Sequence, residues 1–377
     1  MDSRVNAHLA TAPESRAPAA ADRGGAPAAI VGVGTAVPPT SYSQDELLEI
    51  FDIRDPRIRS VFHNSAIDRR HLTLPPEGPD GGRVMEVQGE LLDKHRRQGI
   101  DMGARALQEC LKRAGADLSD IGYLCCVTTT GFLTPGFSAL LIRELGIPSS
   151  ASRLDVVGMG CNAGLNALNA VAGWARAHPG KLAVMVCIEA CSAAYVFDGT
   201  MRTSVVNSLF GDGSAAIAVV SGDTADRPEP TGPRLLKFSS QIIVDALPAM
   251  RYDWDSEQGR FSFFLDPEVP YVVGAHANII IDRLLDGTGL RRSDIRHWTV
   301  HSGGKKVIDS VMVNLGLTRY DVRHTTSVLR DYGNLSSGSF LFSYQQLLEE
   351  GVASPGDHGV LMTMGPGSTI EAALCQW

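Results

Sequence analysis

The chain has no apolar run near the roughly 18 residues that a helix needs to cross a bilayer, so no membrane partner is expected. It has no basic excess: 34 Lys and Arg stand against 42 Asp and Glu, a net charge of −8. A protein that tracks nucleic acid usually carries a basic face, so no nucleic-acid partner is expected either. A local cationic mouth for a small anion stays open. The seven cysteines form no CxxC pair, and Cys187 and Cys191 have no second ligand pair beside them, so no metal is expected. Residues 1–28 are rich in Ala, Pro, Arg and Asp and lack the apolar core of an export signal. They read as a disordered tail, and a reducing cytoplasm is the expected compartment.

What is present is ordinary globular composition, 44% hydrophobic and 20% charged over 377 residues. That length suggests two domains or two halves of one unit. Strands are expected at 29–33, 121–127, 153–157, 182–188 and 215–220, and helices at 44–51, 100–114 and 162–177. Ser43 and Glu46 form a capping-box pattern ahead of the first helix. The alternation implies an α/β layered fold.

The second half echoes the first. GADLSDI (115–121) leads into YLCCV, and GLRRSDI (289–295) leads into HWTVH, with Ser119 and Ser293 174 residues apart. Gly160-Cys161 opens one apolar helix and Gly333-Asn334 another, 173 residues apart. Cys161 and Asn334 are therefore expected at equivalent places across a pseudo-twofold axis. The halves are drawn as 29–235, carrying the nucleophile, and 236–377, carrying a histidine and an asparagine.

Cys161 is the strongest nucleophile candidate, because it follows a strand and a glycine turn and starts a helix. A helix N-terminus favours thiolate over thiol, and a thiolate can hold an acyl group covalently. Cys110, Cys125, Cys126, Cys187 and Cys375 read as core residues, and nothing near Cys191 would activate it. His301 ends the strand HWTVH, where it can pair with a thiolate and donate to a thioester oxygen. Asn334 offers a neutral donor or a plain helix cap. The turn VGVGTAVP lacks the third glycine of a dinucleotide fingerprint, and FGDG (210–213) and GPG (365–367) read as scaffold turns.

Five segments together, GMGCNAG, LFGDGSAA, VHSGGKK, DYGNLSSG and GVLMTMGPGSTIE, resemble the thiolase superfamily and, more narrowly, the type III polyketide synthases. The resemblance runs from about residue 30 to the C-terminus. It implies a thiolase-like fold of layered αβαβα architecture, a homodimer, and no cofactor beyond CoA thioesters. It implies Cys161 as nucleophile, with His301 and Asn334 binding malonyl-CoA and stabilising the enolate left when CO2 departs. NSAIDRR, LPPEGP, YDWD and RFSFFLDP look like a bacterial subgroup in which malonyl-CoA is both starter and extender. There four units build an aromatic thioester for glycopeptide-antibiotic biosynthesis, and hydratase-like enzymes act downstream.

Departures from the family pattern set further expectations. Arg57 fits one position of the plant enzymes' CoA-binding cations, but Ser60 and Asn64 stand where others are expected. Lys305 and Lys306 follow His301, where plant enzymes are uncharged, so Arg57, Lys305 and Lys306 are expected to bind CoA. Thr129 and Thr130 are expected to line the cavity, with Ser336 nearby, and Thr134 replaces the methionine that plant enzymes insert into the partner's cavity. Tyr195 or Phe197 is the expected gating aromatic. Two rivals carry other roles: a fatty-acid initiation synthase working on an acyl carrier protein, and a catalytically silent partner subunit.

Overall fold

The computed structural model describes residues 26–79, 81–195, 198–222 and 232–377. Most of the expected tail, and Phe197, lie outside them. The first half supplies β1 (Ala28–Ala36), β2 (Ser41–Ser43), α1 (Gln44–Ile50), α2 (Pro56–His63), β3 (Arg69–His71), α3 (Gln88–Ala114), β4 (Ile121–Thr128), α4 (Phe137–Leu145), β5 (Ser152–Val157), α5 (Ala163–Ala177), β6 (Leu182–Glu189), α6 (Met201–Leu209) and β7 (Gly213–Ser221). The second supplies β8 (Arg234–Ile242), β9 (Met250–Asp255), β10 (Arg260–Leu265), α7 (Val269–Leu285), β11 (Ile295–Val300), α8 (Lys305–Leu315), α9 (Arg323–Tyr332), α10 (Ser339–Glu350), β12 (His358–Gly365) and β13 (Thr369–Gln376).

The large sheet runs β11-β12-β13-β8-β1-β7-β6-β4-β5. Its two blocks repeat one pattern. β4–β6 and β11–β12 are parallel, whereas β6–β7, β7–β1, β12–β13 and β13–β8 are antiparallel. The blocks meet at β1 and β8 through one pair, Ala29 with Arg234. The repeated SDI has a local cause. In each copy the Asp120 or Asp294 carboxylate accepts the backbone N–H three residues earlier, at 2.9 and 2.7 Å, which caps a one-turn 3-10 helix before β4 or β11.

β6 reads LAVMVCIE and is buried throughout. Period-two alternation divides it between two cores. Ala183, Met185 and Cys187 pack with α5 and α10, while Val184, Val186 and Ile188 pack with α3 and α4. In the second block Leu361, Ala373 and Cys375 join the α5–α10 core. Val360, Met362, Ala372 and Leu374 face α7 and α8 instead. The result is helix, sheet, helix, sheet, helix, the layered α/β arrangement expected from the sequence. The two central helices approach so closely that a Cβ on Gly164 would lie 2.2 Å from the Ser337 carbonyl oxygen.

Most expected elements appear within two residues of their expected ends. Two differ: β1 runs on to Ala36 rather than ending at 33, and α3 starts at Gln88 rather than 100. Its N-cap is Val87, which has no capping side chain; Glu90 reaches back to the Val87 N–H at 3.0 Å instead. β9 and β10 form a separate two-stranded hairpin.

Candidate active site

Cys161 lies in the 3-10 turn Gly160–Asn162 that runs into α5. Gly160 has φ +79°, and a Cβ there would sit 2.1 Å from Pro366 Cδ, so glycine is what lets the GPG loop close over this turn. His301 follows β11, and its N–H donates to the Met362 carbonyl at 2.8 Å, one step beyond the β11–β12 ladder. Asn334 follows α9. Its N–H donates to the Leu209 carbonyl at 2.8 Å, and its own carbonyl accepts the Gly211 N–H at 3.0 Å. Its amide oxygen accepts the Ser336 N–H at 2.8 Å and the Ser339 hydroxyl at 3.4 Å, which leaves the amide nitrogen as the donor. Cys161, His301 and Asn334 line one cavity of about 510 Å³.

The expected equivalence of Cys161 and Asn334 is off by three residues. Aligned on the starts of α5 at Ala163 and α10 at Ser339, the counterpart of Cys161 is Ser337, inside the turn Ser336–Gly338. The apparent offset of 173 ignores extra chain after Asn334. The two turns still pack against each other, which brings both halves to the cavity.

The helix terminus does not by itself make Cys161 acidic. Burial pushes its thiol up to about 12, and the buried Glu189 carboxylate adds to the rise; hydrogen bonds from Ser336, its own N–H and the Asn334 amide pull the other way. Burial likewise lowers His301 to about 3, and its Nδ1 has no hydrogen-bond partner. Burial thus favours the neutral form of both groups.

A polar chain that the sequence reading missed runs behind Cys161. Glu189, fully buried at the end of β6, is raised by burial to about 6. It accepts from the Thr129 N–H at 3.0 Å, the Thr129 hydroxyl at 3.1 Å, and the Ser337 N–H and hydroxyl. The Thr129 hydroxyl meets Ser336 Oγ at 2.8 Å, which meets Cys161 Sγ at 3.5 Å. A lone glutamate ending an otherwise apolar, buried strand was the available signal, because such a charge needs built-in partners.

Thr129 and Ser336 thus act through hydrogen bonds rather than as cavity wall. Thr130 is a correction: its hydroxyl accepts the Ala190 N–H at 3.0 Å and lies 3.3 Å from His95 Nδ1, bracing the strand ends. The aromatic expectation also shifts. Phe210, read from sequence as a scaffold turn, lines the cavity beside Cys161 with Phe263. Tyr195 stands behind it, ring centroids 4.1 Å apart, and borders smaller cavities on the far side.

At the rim stand Lys305 and Lys306, on the first turn of α8, with Ser60 and Asn64 opposite. Lys305 pairs with Asp309. Arg57 does not border the cavity; it is exposed and pairs with Asp55 at 3.0 Å. Thr134 lies on an exposed loop. Among the described residues no group of three His, Cys, Asp or Glu is placed to hold a metal, and no helix is long and apolar enough to cross a membrane.

Comparison with known proteins sets this geometry in context. The N-terminal domain of the chalcone and stilbene synthases matches residues 15–223, and their C-terminal domain matches residues 237–376. A 3,5-dihydroxyphenylacetyl-CoA synthase of Amycolatopsis balhimycina is 75% identical over 92% of both chains. One of Streptomyces toyocaensis is 70% identical over 92% of this chain and 90% of its own. The crystal structure of 1,3,6,8-tetrahydroxynaphthalene synthase from Streptomyces coelicolor A3(2), a bacterial type III polyketide synthase, superposes with a TM-score of 0.83 at 28% identity. It covers 93% of this chain and 99% of that one.

Proposed function

The chain belongs to the chalcone and stilbene synthase family of type III polyketide synthases, and from that premise we propose that it condenses malonyl-CoA into 3,5-dihydroxyphenylacetyl-CoA on Cys161. The activity of the relatives supports the product, and the observation that carries the site is the shared cavity of Cys161, His301 and Asn334.

Proton transfer to His301 frees the Cys161 thiolate to attack a malonyl thioester, and CoA leaves as the thiol. A second malonyl-CoA then places its thioester oxygen against the imidazole and the Asn334 amide. Loss of CO2 leaves an enolate whose negative oxygen these donors stabilise, each by about 2.7–4 kcal/mol. No strong base is needed, because decarboxylation itself delivers the electron pair to carbon. The enolate carbon attacks the Cys161 thioester carbonyl, and the C–S bond breaks. Four malonyl units combine, their carboxyl groups leave as CO2, and one water leaves as the ring becomes aromatic. The chemistry asks for no cofactor beyond CoA thioesters.

Lys305 and Lys306 border the cavity and suit the CoA phosphates, whereas Arg57 does not border it and contributes less. The protein works as a homodimer in this reading. β5 is an edge strand with Leu154 and Val157 partly exposed, and the nearby loop exposes Phe132 to 70%. An edge of that kind invites pairing. The cytoplasm and a role in glycopeptide-antibiotic biosynthesis, with hydratase-like enzymes downstream, complete the proposal.

Mass spectrometry of the purified protein with malonyl-CoA alone tests it. The expected product is the dihydroxyphenylacetyl thioester or its acid. Activity only on carrier-bound acyl groups, with no aromatic product, would overturn it.

A further inference from the structure

The hairpin of β9 and β10 forms one wall of the cavity, carrying Met250, Phe263 and Leu265 toward Cys161. Its strands hydrogen-bond only to each other within the sheet network of the described residues. A two-stranded hairpin alone is marginal, so its position must be fixed from outside. Part of the fixing is aromatic: Phe263 packs edge-on against Tyr195 at 5.6 Å and Phe210 at 6.2 Å.

The rest is polar, with the Arg260 and Asp198 side chains largely shielded and Gln258 exposed. Arg260 opens β10 with its side chain 7% exposed, and its guanidinium lies 3.9 Å from Asp198, whose side chain is 10% exposed. Gln258 bridges them: its side-chain oxygen accepts from Arg260, and its amide nitrogen donates to Asp198 at 3.4 Å. Asp198 is itself anchored, accepting the Thr200 N–H at 2.9 Å and the Thr200 hydroxyl at 2.7 Å at the head of α6. α6 ends at Leu209, beside Phe210. One carboxylate therefore ties the hairpin wall to the helix that presents the facing aromatic. A buried guanidinium is costly unless paired, so loss of either partner releases the hairpin rather than leaving it in place.

We propose that the Asp198–Gln258–Arg260 latch sets the depth of the cavity and thereby the length at which the Cys161-bound chain is released. The inference rests on the polyketide reading above and concerns specificity-determining residues that touch no reacting atom.

The test compares Arg260→Ala, Arg260→Lys, Asp198→Asn and the double variant Asp198→Asn/Arg260→Ala on malonyl-CoA. Product lengths and total malonyl-CoA consumption are both read by mass spectrometry. Asparagine keeps a side-chain oxygen for the Thr200 N–H and hydroxyl, so Asp198→Asn removes the charge and keeps that turn. Each of Arg260→Ala and Asp198→Asn should change the ratio of the parent's aromatic product to acyl products of other lengths by about threefold or more, in the same direction, and the double variant should add little to either. Arg260→Lys should recover a large part of the parent ratio. A merely structural role would lower total turnover and leave the ratio unchanged, and that outcome overturns the latch, as would additive effects in the double variant. If the unaltered protein makes no aromatic product, the functional reading fails instead.

Discussion

Replacing Ser336 by alanine isolates the hydrogen bond that reaches Cys161 from the buried polar chain. Ser336 Oγ lies 3.5 Å from the sulfur, while Thr129 keeps Glu189 as its partner at 3.1 Å. The substitution therefore leaves no newly stranded donor on Thr129. Ser336 sits at φ +50°, and alanine carries the same backbone strain, so the turn is not further burdened. Hydrogen bonds to charged groups contribute about 1.5–3 kcal/mol, and the length of this one places it near 1.5. The Thr129 hydroxyl donates to Glu189, so the one Ser336 hydrogen must turn from Thr129 to the sulfur when the thiolate forms; since about 1.4 kcal/mol is one pKa unit, losing that donor should raise the apparent thiol pKa by at most about one unit. Below that pKa, the thiolate fraction and the rate of alkylation by iodoacetamide should fall by up to about tenfold. The assay is alkylation of Cys161 followed by mass spectrometry over a range of pH, with melting temperature as a control for folding. An alkylation profile within about twofold of the unaltered protein, at unchanged melting temperature, would show that Ser336 does not tune the nucleophile.

Glu189 should leave a signature in stability. Its folded pKa of about 6 lies above the ordinary 4.5, so the native state holds the proton longer than the unfolded chain does. Unfolding free energy should fall by about 2 kcal/mol as pH rises through that window and then level, and Glu189→Gln should lack this slope in denaturant titrations. Lys305→Ala/Lys306→Ala should raise KM for malonyl-CoA several-fold with little change in kcat, whereas Arg57→Ala should change it less than about twofold, because Arg57 does not border the cavity. Leu154→Lys/Val157→Lys on β5 should convert a dimer into a monomer in sedimentation analysis, and an unaltered mass would place any dimer contact elsewhere.

Elements set by local chemistry were legible in the sequence. The SDI turns, the Ser43–Glu46 capping box and the apolar strands each depend on residues a few positions apart, and all appear in the structure. Features assembled across the chain were less so. Asn334 reaches the cavity, but its register against Cys161 depends on chain added before α10. The role of Glu189 rests on Thr129 and Ser337, 60 and 148 residues away, so its strand alone could only mark it as unusual. Phe210 looked like part of a glycine turn because its neighbours are Gly211 and Gly213; only the cavity shows which way its ring faces. Burial of the Cys161 thiol was hidden from the sequence for a related reason. Helix-terminus arguments count the local amides and omit the burial imposed by the opposing half.

The central claim is that Cys161 carries the growing chain, and mass spectrometry of the quenched protein during turnover of isotopically labelled malonyl-CoA tests it most directly. Labelled acyl groups should appear on the peptide containing Cys161, and Cys161→Ala should show neither the adduct nor the aromatic product. Product formation by Cys161→Ala at the parent rate, or acyl groups found on another residue, would contradict the account.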